Sequence, residues 1–272
     1  MSTTGQPSIV VTDLDGTLWH HDDDIDPTVV DAIDELERRG VPLLVATGRR
    51  LASTVQPLTR VGVRLPMVVL NGALGVERDG TTRFHCSGYS SEDATAVLAA
   101  FRSVGLDPVV QVDRPDIEVY LSTTPGTHPE HAAMLRPVAA IDDLDRVVAD
   151  EVVLGFSLLG VDNTLAATVA DAIGTTAESH LDRSIEYVGD ASLTVAPKGQ
   201  SKWDGVLAFC AAHDLDATRV LCLADGANDI ELLDNSAIRL VPKVANPAAL
   251  ERADHVIPAA MDGGWAAVLD HV

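Results

Sequence analysis

The feature that most constrains the fold is an alternation, in the first third of the chain, of short apolar runs with longer segments of helical periodicity. Ile9–Thr12, residues 41–46 and residues 66–70 are too short for helices and carry no polar face, as expected of strands buried in a parallel sheet. Between the first two, Val29, Val30, Ile33 and Leu36 recur at helical spacing behind Asp26 and Pro27, an N-cap and first-turn pair, and Gly40 closes the helix. A second helix is expected over Leu51–Arg60. The fold class that follows is α/β, with a Rossmann-like parallel-sheet core covered by helices.

After Asn71 and Gly72 the pattern changes. Residues 73–77 and 81–85 flank Asp79-Gly80, a pair suited to a tight hairpin turn, and a different architecture is expected to begin there. Ser91–Ser103 and Asn163–Ile173 read as helices, while residues 108–112, Ile117–Leu121 and residues 152–159 read as strands, an α+β pattern. Alternation resumes after about Asp190, with a helix over 201–212, a strand at Val220–Leu223 and a helix from near Asn228. The expected organisation is a core domain of residues 1–80 and 190–272, interrupted by an inserted α+β cap domain at 81–189.

Composition narrows the function classes. With 41 acidic against 19 basic residues the net charge is -22, so no basic patch is expected to displace counterions from nucleic acid or to hold an anionic membrane. No apolar run is long enough to span a bilayer, and residues 1–8 lack a signal-like apolar core, so a cytoplasmic protein is expected. Cys86, Cys210 and Cys222 are dispersed and read as small buried residues, not as disulfides or zinc ligands.

Chemistry concentrates at predicted strand ends. Asp13 and Asp15 follow the first strand, where open α/β sheets place their ligand crevice, and two carboxylates so close call for a hard cation such as Mg²⁺. Asp225, Asn228 and Asp229 follow another strand, Asp225 to complete an oxygen-rich site with Asp13 and Asp15, Asn228 for the metal shell or for phosphate, and Asp229 to orient its neighbours; Thr47-Gly48-Arg49 offers a hydroxyl and main-chain N–H groups to a phosphate. Lys202, one of three lysines, opens a helix and supplies a compact positive charge. Taken singly, these segments also read as an acidic turn, helix caps and a surface lysine.

Together they carry a resemblance. Asp13-Leu14-Asp15-Gly16-Thr17-Leu18, Thr47-Gly48-Arg49, Ser201-Lys202 and Asp225-Gly226-Ala227-Asn228-Asp229 resemble, in order, the four motifs of the haloacid dehalogenase superfamily. The likeness is specifically to its Cof-type (subfamily IIB) sugar phosphatase-like branch, whose strand end Asn71-Gly72-Ala73 also resembles. The resemblance implies a Mg²⁺-dependent phosphatase acting on small phosphate monoesters, sugar phosphates foremost. It implies Asp13 as the nucleophile, forming an aspartyl-phosphate, and Asp15 as acid and then base, with Lys202 neutralising charge. Leu14, Thr47, Gly48, Lys202 and Asn228 are implied to hold phosphate. Asp13, Asp15 (through its main-chain carbonyl) and Asp225 are implied to hold the metal, with Asp229 and Asn71 supporting. Ala224 and the stretch 241–246 depart from the branch's usual residues without removing a catalytic side chain.

Two alternatives stand beside hydrolysis: a phosphomutase of sugar phosphates using the same intermediate, and a non-catalytic domain that binds phosphate esters. The partner in each case is a small-molecule phosphate ester, and oligomeric state is not readable. Elsewhere, His20, His21 and Asp22 to Asp24 read as a solvated loop, and His128 and His131 as loop residues. Trp19, Trp203 and Trp265 read as packing residues, with only Trp203 expected near the crevice. Asp116, Glu118, Tyr120 and Glu186 read equally as polar contacts or as strand surface.

Overall fold

The structure is a computed structural model, and it describes residues 6–20, 24–183, 187 and 190–272. His21, Asp22, Asp23 and Glu186 lie outside the described residues. The chain divides into two compact units, a core unit of Met1–Cys86 with Ser201–Val272 and a second unit of Ser87–Gln200.

The first part of the core unit contains β1 (Ile9–Thr12), α1 (Pro27–Arg38), β2 (Leu43–Ala46), α2 (Leu51–Arg60), β3 (Met67–Val69), β4 (Leu74–Val76) and β5 (Arg83–Cys86). The second unit follows with α3 (Ser91–Ser103), β6 (Val109–Arg114), β7 (Ile117–Leu121), α4 (Pro129–Leu135) and β8 (Ala139–Ile141). It is completed by α5 (Leu144–Asp150), β9 (Val153–Val161), α6 (Asn163–Ile173), β10 (Ala177–Arg183) and β11 (Ala191–Pro197). The core unit then resumes with α7 (Lys202–Ala212), β12 (Val220–Leu223), α8 (Ile230–Asn235), β13 (Ile238–Pro242), α9 (Pro247–Leu250) and β14 (His255–Ile257).

The core sheet has eight strands in the order β14-β13-β12-β1-β2-β3-β4-β5. From β14 to β3 every pairing is parallel. The chain builds outward from β1 through β2 and β3, then returns on the other side of β1 as β12. That reversal is a switch point, and it opens a crevice at the carboxyl ends of β1 and β12. Ile9 and Val11 face α7, α8 and α9 in one apolar cluster with Leu44, Val68, Phe209 and Leu232. Val10 and Thr12 therefore face the opposite side. Helix α7 lies so close to β3 that a Cβ on Gly205 would stand 2.3 Å from the Val68 side chain.

The hairpin anticipated around Asp79-Gly80 is present, but β4 and β5 extend the core sheet instead of opening a new one. Only Gly80 of the pair takes a positive φ (76°), so the connection is longer than a two-residue turn. Asp79 closes it by accepting from the main-chain N–H groups of Thr81 and Thr82, both at 2.7 Å. Cys210 and Cys222 are buried as expected, whereas Cys86, at the end of this edge strand, is exposed.

The second unit carries a six-stranded sheet in the order β10-β11-β9-β6-β7-β8, antiparallel except between β7 and β8. Helices α3, α5 and α6 cover one face around Phe101 and Phe156, whose ring centroids are 6.0 Å apart. Leu135 of α4 gathers Val109, Val119 and Leu121 into a smaller cluster. Strand β11 belongs to this sheet, so residues 191–197 are not the return of the core that alternation indicates. His128 is the N-cap of α4 and His131 lies within it, which corrects their reading as loop residues; the His131 Nδ1 is 2.8 Å from the Thr127 hydroxyl. Tyr120 is buried, its hydroxyl donating to Glu151 at 3.1 Å, and is not strand surface. Among the described residues no helix is long and apolar enough to cross a membrane.

Candidate active site

Each proposed site segment of the core unit begins where a parallel strand ends: Asp13 after β1, Thr47 after β2, Asn71 just past β3, and Asp225 after β12. Parallel strands point their carboxyl ends the same way, so these four turns converge. Lys202 comes to them from the first turn of α7. Asp204 fixes that turn by accepting from both the main-chain N–H (2.8 Å) and the hydroxyl (2.9 Å) of Ser201. Gly72, at φ 106°, lets the chain after β3 pass against it, for a Cβ there would lie 2.0 Å from the Ser201 carbonyl oxygen.

The Lys202 ammonium is 1% exposed and bridges two buried carboxylates, donating to Asp13 at 2.7 Å and to Asp229 at 2.6 Å. Burial pulls its pKa down, but the charges of Asp13 and Asp229 more than offset that, and the group stays firmly protonated. The second oxygen of Asp229 accepts from the Gly226 main-chain N–H at 2.8 Å, so both of its oxygens are engaged. The Thr17 hydroxyl donates to Asp225 at 2.9 Å, and Gly16 runs so close that a Cβ would meet the Asp225 carboxylate at 2.3 Å.

Oxygens of Asp13, Asp225 and Asp229 lie within 4.8 Å of one another. Three carboxylates against one ammonium leave two negative charges uncompensated. Burial first, reinforced by Asp229 and the other acids against the opposing pull of Lys202, pushes Asp13 well above the usual carboxylate range. Burial followed by the nearby Asp229 pushes Asp225 up to about 6. An all-oxygen donor set with this excess charge fits a hard divalent cation.

Asp15 stands apart from this group. Its carboxylate receives Arg49 at both oxygens, Nε at 2.6 Å and Nη2 at 2.5 Å, and also accepts from the Trp19 indole at 3.0 Å. The Arg49 guanidinium in turn lies over the Trp19 ring, 5.0 Å from its centroid. The three clustered carboxylates thus include Asp229 and not the Asp15 side chain.

Thr47, Gly48 and Asn228 are tied together through Asn71. Its Oδ1 accepts from Asn228 at 3.0 Å and would lie 2.9 Å from a Cβ on Gly48, so a side chain at that position would displace the Asn71 amide. Asn71 itself takes the left-handed conformation, φ 51°, which asparagine tolerates best among residues with a Cβ. Its main-chain N–H donates to the Thr47 carbonyl at 3.1 Å. The Leu14 side chain is buried, and its carbonyl accepts from Leu18 at 2.9 Å, closing the turn that carries Gly16 and Thr17.

The haloacid dehalogenase-like hydrolase family matches residues 10–269. The chain belongs to this family. It is an enzyme, a phosphatase of the haloacid dehalogenase superfamily. A phosphoglycolate phosphatase of Methanopyrus kandleri is 25% identical over 262 residues, 96% of this chain and 95% of that protein. A second, from Haloarcula marismortui, is 24% identical over 259 residues, 94% of this chain and 93% of that one. Among solved structures, a haloacid dehalogenase subclass IIB sugar phosphatase superposes with a TM-score of 0.76 at 19% identity, covering 97% of this chain and 98% of that one. A phosphatase of the superfamily from Bacteroides thetaiotaomicron gives 0.77 at 20% identity, covering 99% and 96%. At these identities the structures share the fold.

In this haloacid dehalogenase-like hydrolase, Trp19 and Trp265 are fully buried, as their reading as packing residues expects, but each also donates a hydrogen bond, and Trp19 rather than Trp203 reaches a site residue. Trp19 donates to Asp15, and Trp265 donates to the Thr12 hydroxyl at 2.8 Å. Trp203, expected nearest the crevice, packs partly buried against the apolar cluster under α7. The signal for Trp19 was its place four residues after Asp15 in a tight turn; Trp265, 253 residues from Thr12, had none.

Proposed function

We propose that this chain hydrolyses small phosphate monoesters, sugar phosphates foremost, through an aspartyl-phosphate on Asp13 and with Mg²⁺ as cofactor. The observation that carries the reading is the buried Lys202 ammonium bridging Asp13 and Asp229 beside Asp225, three clustered carboxyl groups with one cation among them. Asp13, Asp225 and the main-chain carbonyl of Asp15 are the groups to hold Mg²⁺. Once bound, the ion supplies the charge neutralisation that an anionic nucleophile and a phosphate dianion both require.

An Asp13 carboxylate oxygen attacks phosphorus, the bond from phosphorus to the ester oxygen breaks, and Asp15, which must first leave its pairing with Arg49 and take up a proton, gives that proton to the departing oxygen. Water then attacks phosphorus and Asp15 takes the water's proton. The Asp13–phosphorus bond breaks, and inorganic phosphate leaves with the carboxylate restored. Lys202 holds Asp13 in place and neutralises charge on the transferring group. Thr47, Gly48, Asn228 and the Leu14 main-chain N–H hold the phosphate oxygens, with Asn71 fixing Asn228. The second unit is proposed as the cap that selects the leaving group.

The archaeal relatives are named phosphoglycolate phosphatases, so phosphoglycolate belongs beside sugar phosphates, nucleotides and cofactor phosphates in a phosphate-release screen with Mg²⁺. Asp13→Asn is expected to lower turnover of the best substrate, and of p-nitrophenyl phosphate, by more than about 10³-fold. Retention of a tenth of the activity would place the nucleophile elsewhere.

A further inference from the structure

We propose that Thr12 and Trp265 are positioning residues that aim the peptide group between Asp13 and Leu14. The inference rests on the reading of Asp13 as nucleophile and of the Leu14 N–H as a phosphate donor.

Strand β1 reads Ile-Val-Val-Thr, and its last residue is fully buried where an apolar side chain would meet no polar obligation. The Thr12 hydroxyl meets that obligation twice. It accepts from the Trp265 indole N–H at 2.8 Å, and it donates to the Asp13 carbonyl oxygen at 2.6 Å. A hydroxyl has one proton to give. With Trp265 engaging a lone pair, that proton is directed to the carbonyl. The Asp13 main-chain N–H donates to Leu223 of β12 at 2.9 Å, so both main-chain polar groups of Asp13 are fixed.

The peptide group is planar, and in its trans form the carbonyl and the following N–H point in opposite directions. Drawing the Asp13 carbonyl toward Thr12 therefore turns the Leu14 N–H the other way. The same constraint sets where the chain leaves the sheet, and with it the Asp13 carboxylate that sits 2.7 Å from Lys202. Trp265 is itself held rigidly. It is fully buried, and the preceding Gly264 passes so close to Pro258 that a Cβ would lie 2.0 Å from its carbonyl oxygen.

The test uses Thr12→Val, which keeps the shape without the hydroxyl, Thr12→Ser, which keeps the hydroxyl, and Trp265→Phe, which keeps an aromatic ring without the N–H. kcat and KM for p-nitrophenyl phosphate with Mg²⁺ are measured alongside thermal midpoints. Thr12→Val is expected to lower kcat about tenfold or more with KM within about twofold, since sub-ångström misplacement of reacting groups acts on the chemical step. Thr12→Ser should recover most of kcat, Trp265→Phe should fall between, and the Thr12→Val/Trp265→Phe double variant should be no worse than Thr12→Val. Wild-type kcat in Thr12→Val, or equal losses in Thr12→Val and Thr12→Ser, overturns the inference. If Thr12→Val does not fold, Trp265→Phe decides alone: reduced kcat at unchanged KM supports the relay, and a lower midpoint with unchanged kcat refutes it. Asp13→Asn separates the two levels, because an active Asp13→Asn sinks the nucleophile itself, whereas an inactive one beside an unimpaired Thr12→Val sinks only the relay.

Discussion

Among the described residues, the ionisable Asp and Lys side chains that are buried, Asp13, Lys202 and Asp229, all belong to the core unit, whereas the polar side chains buried in the second unit are Gln111, Ser122, Thr127, Ser157 and Gln200. The contrast follows from strand direction. Six parallel strands deliver their carboxyl ends to one edge, so side chains far apart in sequence can compensate each other's charge there. A mostly antiparallel sheet sends successive ends to opposite edges and gathers no such group. The second unit consequently buries neutral polar groups, such as the Gln111 amide donating to Ser157 at 3.3 Å, around an aromatic core.

If this contrast holds, deleting charge should damage the core unit and deleting volume should damage the second. Lys202→Met is the strongest attack on the first half. It leaves Asp13 and Asp229 buried without their cation, and should cost about 3–5 kcal/mol of stability and about 10²–10³-fold in kcat. Kinetics within threefold of wild type would break the comparison. Phe156→Ala empties the aromatic centre of the second unit and should cost about 3–5 kcal/mol in denaturant unfolding. Its Mg²⁺-induced rise in thermal midpoint should survive, because the carboxylates lie in the other unit; loss of that rise in folded protein would contradict the division.

A pH series sharpens the core half. Asp225 is raised from its ordinary value to about 6, chiefly by burial. A carboxyl raised in the folded state favours its protonated form there. Its contribution is therefore fully present below about pH 4 and disappears as pH rises through about 6, worth about 3 kcal/mol. In metal-free protein this should appear as a falling difference in stability between wild type and Asp225→Asn; a flat or rising difference counts against it. Mg²⁺ competes with the same proton, so Mg²⁺ stabilisation should fade below about pH 6. The smallest effect is expected for Thr17→Val, which removes the one hydroxyl donating to Asp225. Losing that bond should cost about 1 kcal/mol and raise, by less than about one unit, the pH below which Mg²⁺ no longer activates.

Much of the core unit is legible in the sequence because its signals are local. Buried parallel strands read as unbroken apolar runs, and Gly16, Gly48 and Gly72 mark places where another group passes too close for a Cβ. The second unit is less legible for equally physical reasons. Strand β10, Ala-Glu-Ser-His-Leu-Asp-Arg, is a polar edge strand without an apolar run, and α4 and α5 have only seven residues each. Strand β11 alternates well enough to read as a strand, but alternation does not say which sheet it joins. At the site, the motifs locate Asp13, Lys202 and Asp225 in sequence, but not the partner of Asp15. The pairing with Arg49 and Trp19 depends on two turns meeting in space, and Thr47-Gly48-Arg49 carries no mark of what its arginine reaches.

The contact between Gly205 and Val68 has a consequence at a distance from itself. Gly205 is three residues past Lys202, about one helical turn, and a helix shifts as a stiff rod. A single methyl there would lift the start of α7 away from β3 and draw the ammonium back from the carboxylate it must touch. The reach of Lys202, the one buried cation among the described residues, is thus set by an atom that is missing from a surface with no chemistry of its own. Gly205→Ala would act as a remote attenuator, leaving every reacting group in the chain and moving one out of range.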